Sequence, residues 1–144
     1  MILTAQKKFF KGFTLIELLI VIAILGILAA AVLVAVNPAK RQRQARDSAR
    51  KNDIGQLATA LQAYYTTPGQ GVYPAGLTAL TTSGDLKQVP TGPTGDVYSY
   101  TLDGTSTEAA IYVALEDPTG ESGSNWCWQS TSGRAQEVTG ACAP

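Results

Sequence analysis

One acid sits inside the longest apolar stretch of this chain. Glu17 lies five residues after Gly12, and between Phe13 and Val36 only Thr14, Glu17 and Gly26 interrupt the apolar residues. A carboxylate in a hydrocarbon-facing helix costs on the order of a few kcal/mol, so it calls for a partner or a route to water. The chemistry on offer is ionic: a charge that needs a cation beside it or a way to water, and desolvation can cancel much of what such a pairing gains. The bland alternative is that Glu17 snorkels to the interface and does nothing further.

The remaining reactive groups are few. Cys127 and Cys142 are the only cysteines, and in an exported domain two cysteines usually pair. Closing that loop stabilises by roughly 3 kcal/mol on the chain-entropy estimate; two free thiols are the alternative. The segment Glu116–Asn125 carries three acids that could wrap a calcium ion, but their spacing matches no known loop motif. A solvated acidic loop is the other reading, and no metal site is assigned. There is no histidine, which removes the commonest general base, the commonest metal ligand and any Ser-His or Cys-His pair. No catalytic residue and no cofactor is expected, and the chain reads as a non-enzyme.

Those groups must be positioned by very uneven elements. Residues 13–36 would span roughly 36 Å as a helix, against a bilayer core of about 30 Å. Lys7, Lys8 and Lys11 precede this run as they would in a secretory signal peptide, with Ala29-Ala30-Ala31 as a small-residue cleavage pattern. The run is too long for an ordinary signal core and contains an acid. An uncleaved signal anchor is a further alternative. Residues 1–51 hold nine of the basic side chains and two acids, whereas residues 52–144 hold two basic side chains and nine acids. The formal net charge of zero hides this division.

Pro38 directly follows the apolar run, and a kink or short break is expected there. Helical periodicity then resumes from Ala39. Ile54, Leu57, Ala58, Leu61 and Tyr64 or Tyr65 make one apolar face, with Asp53, Gln56 and Gln62 on the other side. Thr66-Thr67-Pro68-Gly69 ends the helix. The cations from Lys40 to Lys51 admit three readings: a solvated or phospholipid-facing collar, complementarity to the acidic part of neighbouring subunits, or contact with DNA phosphates. Further on, Tyr98, Tyr100 and Leu102 alternate with Val97, Ser99 and Thr101, and Ile111, Val113 and Leu115 alternate with Tyr112 and Ala114. Asp103-Gly104 between them predicts an antiparallel hairpin. Trp126-Cys127-Trp128 and residues 135–139 offer one or two more strands. With the helix face laid on the sheet, the fold class is α+β.

Lys11-Gly12-Phe13-Thr14-Leu15-Ile16-Glu17-Leu18-Leu19-Ile20-Val21-Ile22-Ala23-Ile24-Leu25-Gly26 resembles the N-terminal motif of type IV pilins and type II secretion pseudopilins. The match covers roughly the first quarter of the chain. The resemblance implies a pilin-like fold: a long kinked helix from Phe13 to about Thr66, transmembrane in its first half, on a small antiparallel sheet with a disulfide-closed C-terminal loop. It implies cleavage by a prepilin peptidase between Gly12 and Phe13, N-methylation of Phe13, and Glu17 as the assembly acid. Gly26 matches a glycine of the family's transmembrane helix, whereas the family's proline often stands earlier than Pro38. Domains follow as a leader at 1–12, a transmembrane and assembly helix at 13–38, an amphipathic helix at 39–66 and a β-rich head at 67–144.

The implied partners are further copies of the chain in a helical filament, the peptidase and methyltransferase, an inner-membrane assembly platform, and lipid before assembly. The implied location is the inner or plasma membrane with the N-terminus cytoplasmic, and then a periplasmic or extracellular filament. Pilus, secretion pseudopilus and DNA-uptake filament share these features. The reading from another class is a membrane-anchored binding domain with no processing at Gly12.

Overall fold

The computed structural model describes residues 12–121 and 123–144. The chain divides into two compact units after Pro38. In the first, α1 (Leu15–Val36) is built almost wholly from Leu, Ile, Val and Ala. It is long and apolar enough to cross a membrane, with a mean hydropathy of 3.3 in its most apolar window. No α1 side chain is buried within the chain, so the apolar surface awaits lipid or protein. The helix begins two residues later than expected. Thr14 adopts an extended backbone (φ −84°, ψ 151°) and caps the helix instead of joining it.

The break between the helices also falls one residue earlier than expected. Asn37, not Pro38, leaves the helical conformation, with φ 44° and ψ 76°. Asparagine is among the few non-glycine residues that visit this left-handed region routinely. Pro38 instead opens α2 (Pro38–Thr66), where its fixed φ and missing N–H suit a first helical position.

In the second unit α2 lies on a four-stranded antiparallel sheet of simple order β1-β2-β3-β4. The strands are β1 (Ser99–Leu102), β2 (Ala109–Ala114), β3 (Ser124–Gln129) and β4 (Arg134–Thr139). The apolar face of α2, at Ile54, Leu57, Ala58 and Leu61, is buried together with Tyr98, Ile111, Val113 and Trp128. Each fully buried aliphatic side chain of this kind stabilises by about 1.5–3 kcal/mol. Strand alternation decides the rest. Ala109, Ile111 and Val113 join the helix-facing core, whereas Ala110 and Tyr112 pack on the opposite face with Cys127, Cys142 and Val138. The hairpin between β1 and β2 is held by the Asp103 carboxylate, which accepts the backbone N–H groups of Thr105 (3.1 Å) and Glu108 (2.9 Å).

A Cys127–Cys142 disulfide ties the C-terminal segment to that outer face. Asn125 and Gln129 donate to the Gly140 and Ala143 carbonyls at 2.8 and 2.5 Å, which fixes the same segment from both sides. Between α2 and β1 a short helix, α3 (Ala79–Ser83), delivers fully buried Leu80 to the core. Asp53 departs from the outward position expected of it: it is half-buried and accepts the Tyr98 hydroxyl.

Candidate functional site

Two constellations carry charge in places where charge needs a reason. The first is the start of α1. Thr14 Oγ1 accepts the Glu17 backbone N–H at 3.3 Å, while the Glu17 carboxylate accepts the Thr14 backbone N–H at 2.9 Å and the Thr14 hydroxyl at 2.7 Å. This reciprocal capping box satisfies orphan donors of the first turn. It also ties the lone acid of the apolar run into three hydrogen bonds with its own subunit. Phe13 is 74% exposed, and Gly12 is exposed with open space around its Cα. Residues 1–11, with the leader lysines, lie outside the described residues. Thr14 is the residue that sequence reasoning passed over. The Thr-x-x-Glu spacing ahead of an apolar run was the signal for it.

The second constellation lies in the second unit, on the third and fourth turns of α2. Arg50 is 3% exposed and donates through Nη1 to Asp47 (2.8 Å), through Nε and Nη2 to Asp96 (2.9 and 2.7 Å), and through Nη2 to Glu116 (2.7 Å) and Thr94 (3.0 Å). Arg46 closes on the same Glu116 carboxylate, from Nε at 2.9 and 3.0 Å and from Nη2. Asp47, 4% exposed, accepts the backbone N–H groups of Glu116 (3.0 Å) and Asp117 (2.7 Å). Two cations and three carboxylates thus bolt the third and fourth turns of α2 to the loops after α3 and after β2. No buried side-chain polar atom among the described residues lacks a partner.

The electrostatics follow from this geometry. Burial would lower the pKa of Arg50, but its hydrogen bonds to Glu116, Asp96 and Asp47 outweigh that and raise it. Hydrogen bonds from Arg46 first, then Arg50, hold the Glu116 carboxyl down at about 2. Asp96 is lowered by its bond from Thr94 and then by Arg50. The Glu116 side chain is still 26% exposed, so solvent screens part of the attraction.

A carboxyl whose folded pKa lies below its unfolded value contributes stability above the unfolded pKa and loses it as pH falls toward the folded one. Stability of the head is therefore expected to hold near neutrality and to decline between the ordinary carboxyl range, near 4.5, and about 2. Glu116→Gln should lower stability at neutral pH and make that decline shallower, not flat, since Asp96 and Asp103 are also held low. Urea titrations of the full chain in detergent micelles across this range check it. An unchanged slope in the variant would remove Glu116 from the account.

The acidic segment 116–125 is drawn into the head's own hydrogen bonding. Glu116 is turned to the two arginines, and the loop backbone at Thr119 and Gly120 donates to the Glu137 carboxylate at 3.1 and 2.8 Å. Among the described residues no group of three or more His, Cys, Asp or Glu side chains is placed to hold a metal ion. The residues at the start of α1 and the ion cluster in the head belong to different units, and each stands on its own.

The fold and the N-terminal site together define an α+β protein with one exposed apolar helix, capped by an acid, ahead of a disulfide-closed head. Residues 7–33 match the prokaryotic N-terminal methylation motif. The chain is 36% identical over 123 residues to the type II secretion system core protein G of Pseudomonas aeruginosa, an alignment that covers 74% of this chain and 84% of that protein. No solved structure matches the chain. The chain belongs to the type IV pilin and pseudopilin family.

Proposed function

We propose that this chain is a structural subunit of a helical filament, and within the family a pseudopilin of the type II secretion kind. One observation carries the finer choice. The methylation motif spans only residues 7–33, a segment that pili, secretion pseudopili and DNA-uptake filaments share. The likeness to the secretion protein covers 74% of the chain, so it extends far into the head, where filaments differ.

On this reading the leader at 1–12 is removed by a prepilin peptidase between Gly12 and Phe13, and the new Phe13 amine is methylated. Residues 13–38 hold the subunit in the inner membrane and later pack in the filament core. Residues 39–66 and 67–144 form the part outside the bilayer. An assembly platform in the inner membrane lifts the subunit out, and Glu17 pairs with the N-terminus of a neighbour. The residues act by packing and charge matching rather than by catalysis: with lipid as apolar as the helices, association rests on close contact and polar pairing.

The test is mass spectrometry of the N-terminal peptide from filaments sheared off native cells and from their membranes. A peptide that begins at N-methylated Phe13 in the sheared fraction is the expected result. A chain confined to membranes and still starting at Met1 would reject processing and assembly together. Loss of exported proteins from the medium on deletion of the gene would then separate a secretion pseudopilus from an adhesive pilus.

A further inference from the structure

The cations at the start of α2 are not equivalent. Arg46 and Arg50 are drawn inward and neutralised by Asp47, Asp96 and Glu116. Arg41 and Arg43 have no carboxylate partner among the described residues: Arg41 is exposed and its guanidinium donates only to Gln44, at 3.4 Å, and Arg43 is half-buried. The first turn of α2 contains no acid, and the next one along the chain, Asp47, is already engaged by Arg50 and two backbone amides.

Their distance from the end of α1 is bounded by the chain itself. Two residue steps take Val36 to Pro38, at most about 7 Å. Arg41 and Arg43 then follow within α2 at about 1.5 Å per residue. Whatever the angle at Asn37, both side chains start within about 12–15 Å of the end of the apolar helix. That is the depth of the headgroup layer once long side chains are allowed to reach back toward it. A guanidinium presents a planar fork of N–H donors that matches the oxygens of a phosphate.

We infer that Arg41 and Arg43 form a collar that binds the anionic phospholipid headgroups of the leaflet in which α1 ends. The inference rests on α1 being the membrane span. The collar sets how deeply the stored subunit sits, and its release from lipid is one of the steps in leaving the bilayer. An anionic lipid is favoured over neighbouring heads because it is present wherever the subunit is stored, without any register to satisfy.

The test uses the full chain reconstituted in phosphatidylcholine vesicles that carry trace spin-labelled phosphatidylglycerol or spin-labelled phosphatidylcholine. At low salt the labelled phosphatidylglycerol should associate with the protein about threefold to tenfold more strongly than the choline lipid, with the preference lost near 0.5 M NaCl. Arg41→Gln/Arg43→Gln should bring it down to the choline value. Lys87→Gln, an exposed cation in the head, should leave it unchanged. Tryptophan fluorescence of the double variant, read from buried Trp128, checks that the head is folded.

Full selectivity in the double variant, or its loss only on substitution of the leader lysines Lys7, Lys8 and Lys11, overturns the collar. So does its removal by inorganic phosphate but not by chloride at matched ionic strength, which would mean a site for the free anion. Displacement of the labelled lipid by a short oligonucleotide would overturn it in favour of nucleic acid. A chain that fails to float with the vesicles overturns the membrane reading and the collar with it, whereas flotation without selectivity overturns the collar alone.

Discussion

Replacing Arg50 by alanine should destabilise the head by about 3–5 kcal/mol, as expected when one partner of a buried ion cluster is removed. The reason lies in what is left behind. Asp47 is 4% exposed and sits against Arg50; without the guanidinium its charge has only two backbone N–H groups to answer it. Asp96 and Glu116 lose their shared donor as well. Burying an uncompensated charge costs far more than the pair contributed, because desolvation is no longer offset. Arg50→Lys should fall between the two, since an ammonium keeps the charge but cannot reach three carboxylates as a fork. Urea denaturation of the full chain in micelles, followed by tryptophan fluorescence, reads both variants. A loss under about 1 kcal/mol in the alanine variant would mean that water enters the site and the cluster contributes little. Glu116→Gln in the Arg50→Ala background should cost somewhat less than it does alone, because the Arg50 bond is already gone while the bonds from Arg46 remain to be lost.

That cluster is also where the chain was hardest to read from its residues alone. The cations from Lys40 to Lys51 formed a single basic block on composition, and composition cannot say which of them meet acids 46, 66 or 70 residues away. Tertiary packing sorted them. Arg46 and Arg50, one turn apart, reach the acids of the loops, and Lys51 instead lies over the Trp126 ring, 4.4 Å from its centroid. Asp53 went the same way, since helical periodicity alone could not foresee a hydroxyl from Tyr98. By contrast, the buried face at Ile54, Leu57, Ala58 and Leu61 was plain from its spacing, because a helix on a sheet must bury one stripe. The β1–β2 hairpin followed from alternation across a turn rich in Asp, Gly, Ser and Thr, and the disulfide joins the only two cysteines. The break at Asn37 rather than Pro38 turned on which residue tolerates a left-handed backbone, a local preference that the proline overshadowed. α3 is too short for periodicity to show.

At the start of α1, two substitutions should separate roles that a deletion of the acid would merge. Glu17→Gln removes the charge, yet a glutamine oxygen can still accept the Thr14 N–H as the capping box requires. Thr14→Ala removes the cap and keeps the charge. If Glu17 serves assembly by pairing with the amine of a neighbouring Phe13, Glu17→Gln strands that amine in hydrocarbon. A loss of at least about 2 kcal/mol per contact is then expected, roughly a thirtyfold weaker association at each step of growth. Repeated along a filament, such a loss is close to complete, so sheared fractions should contain almost no Glu17→Gln protein while the membranes still hold it. Thr14→Ala should cost only the cap, about 1 kcal/mol of helix stability, and reduce filament yield modestly. Immunoblots of sheared and membrane fractions from cells carrying each variant as the sole copy distinguish the cases. Equal filament yield from Glu17→Gln and the unaltered chain would reduce Glu17 to a helix cap, and the register of the filament would have to come from the apolar surface of α1 alone. The two hydrogen bonds that Thr14 gives Glu17 also predict the order of events. If that pairing holds, the carboxylate starts out bound within its own subunit and has to exchange or share those donors when a neighbour's amine arrives.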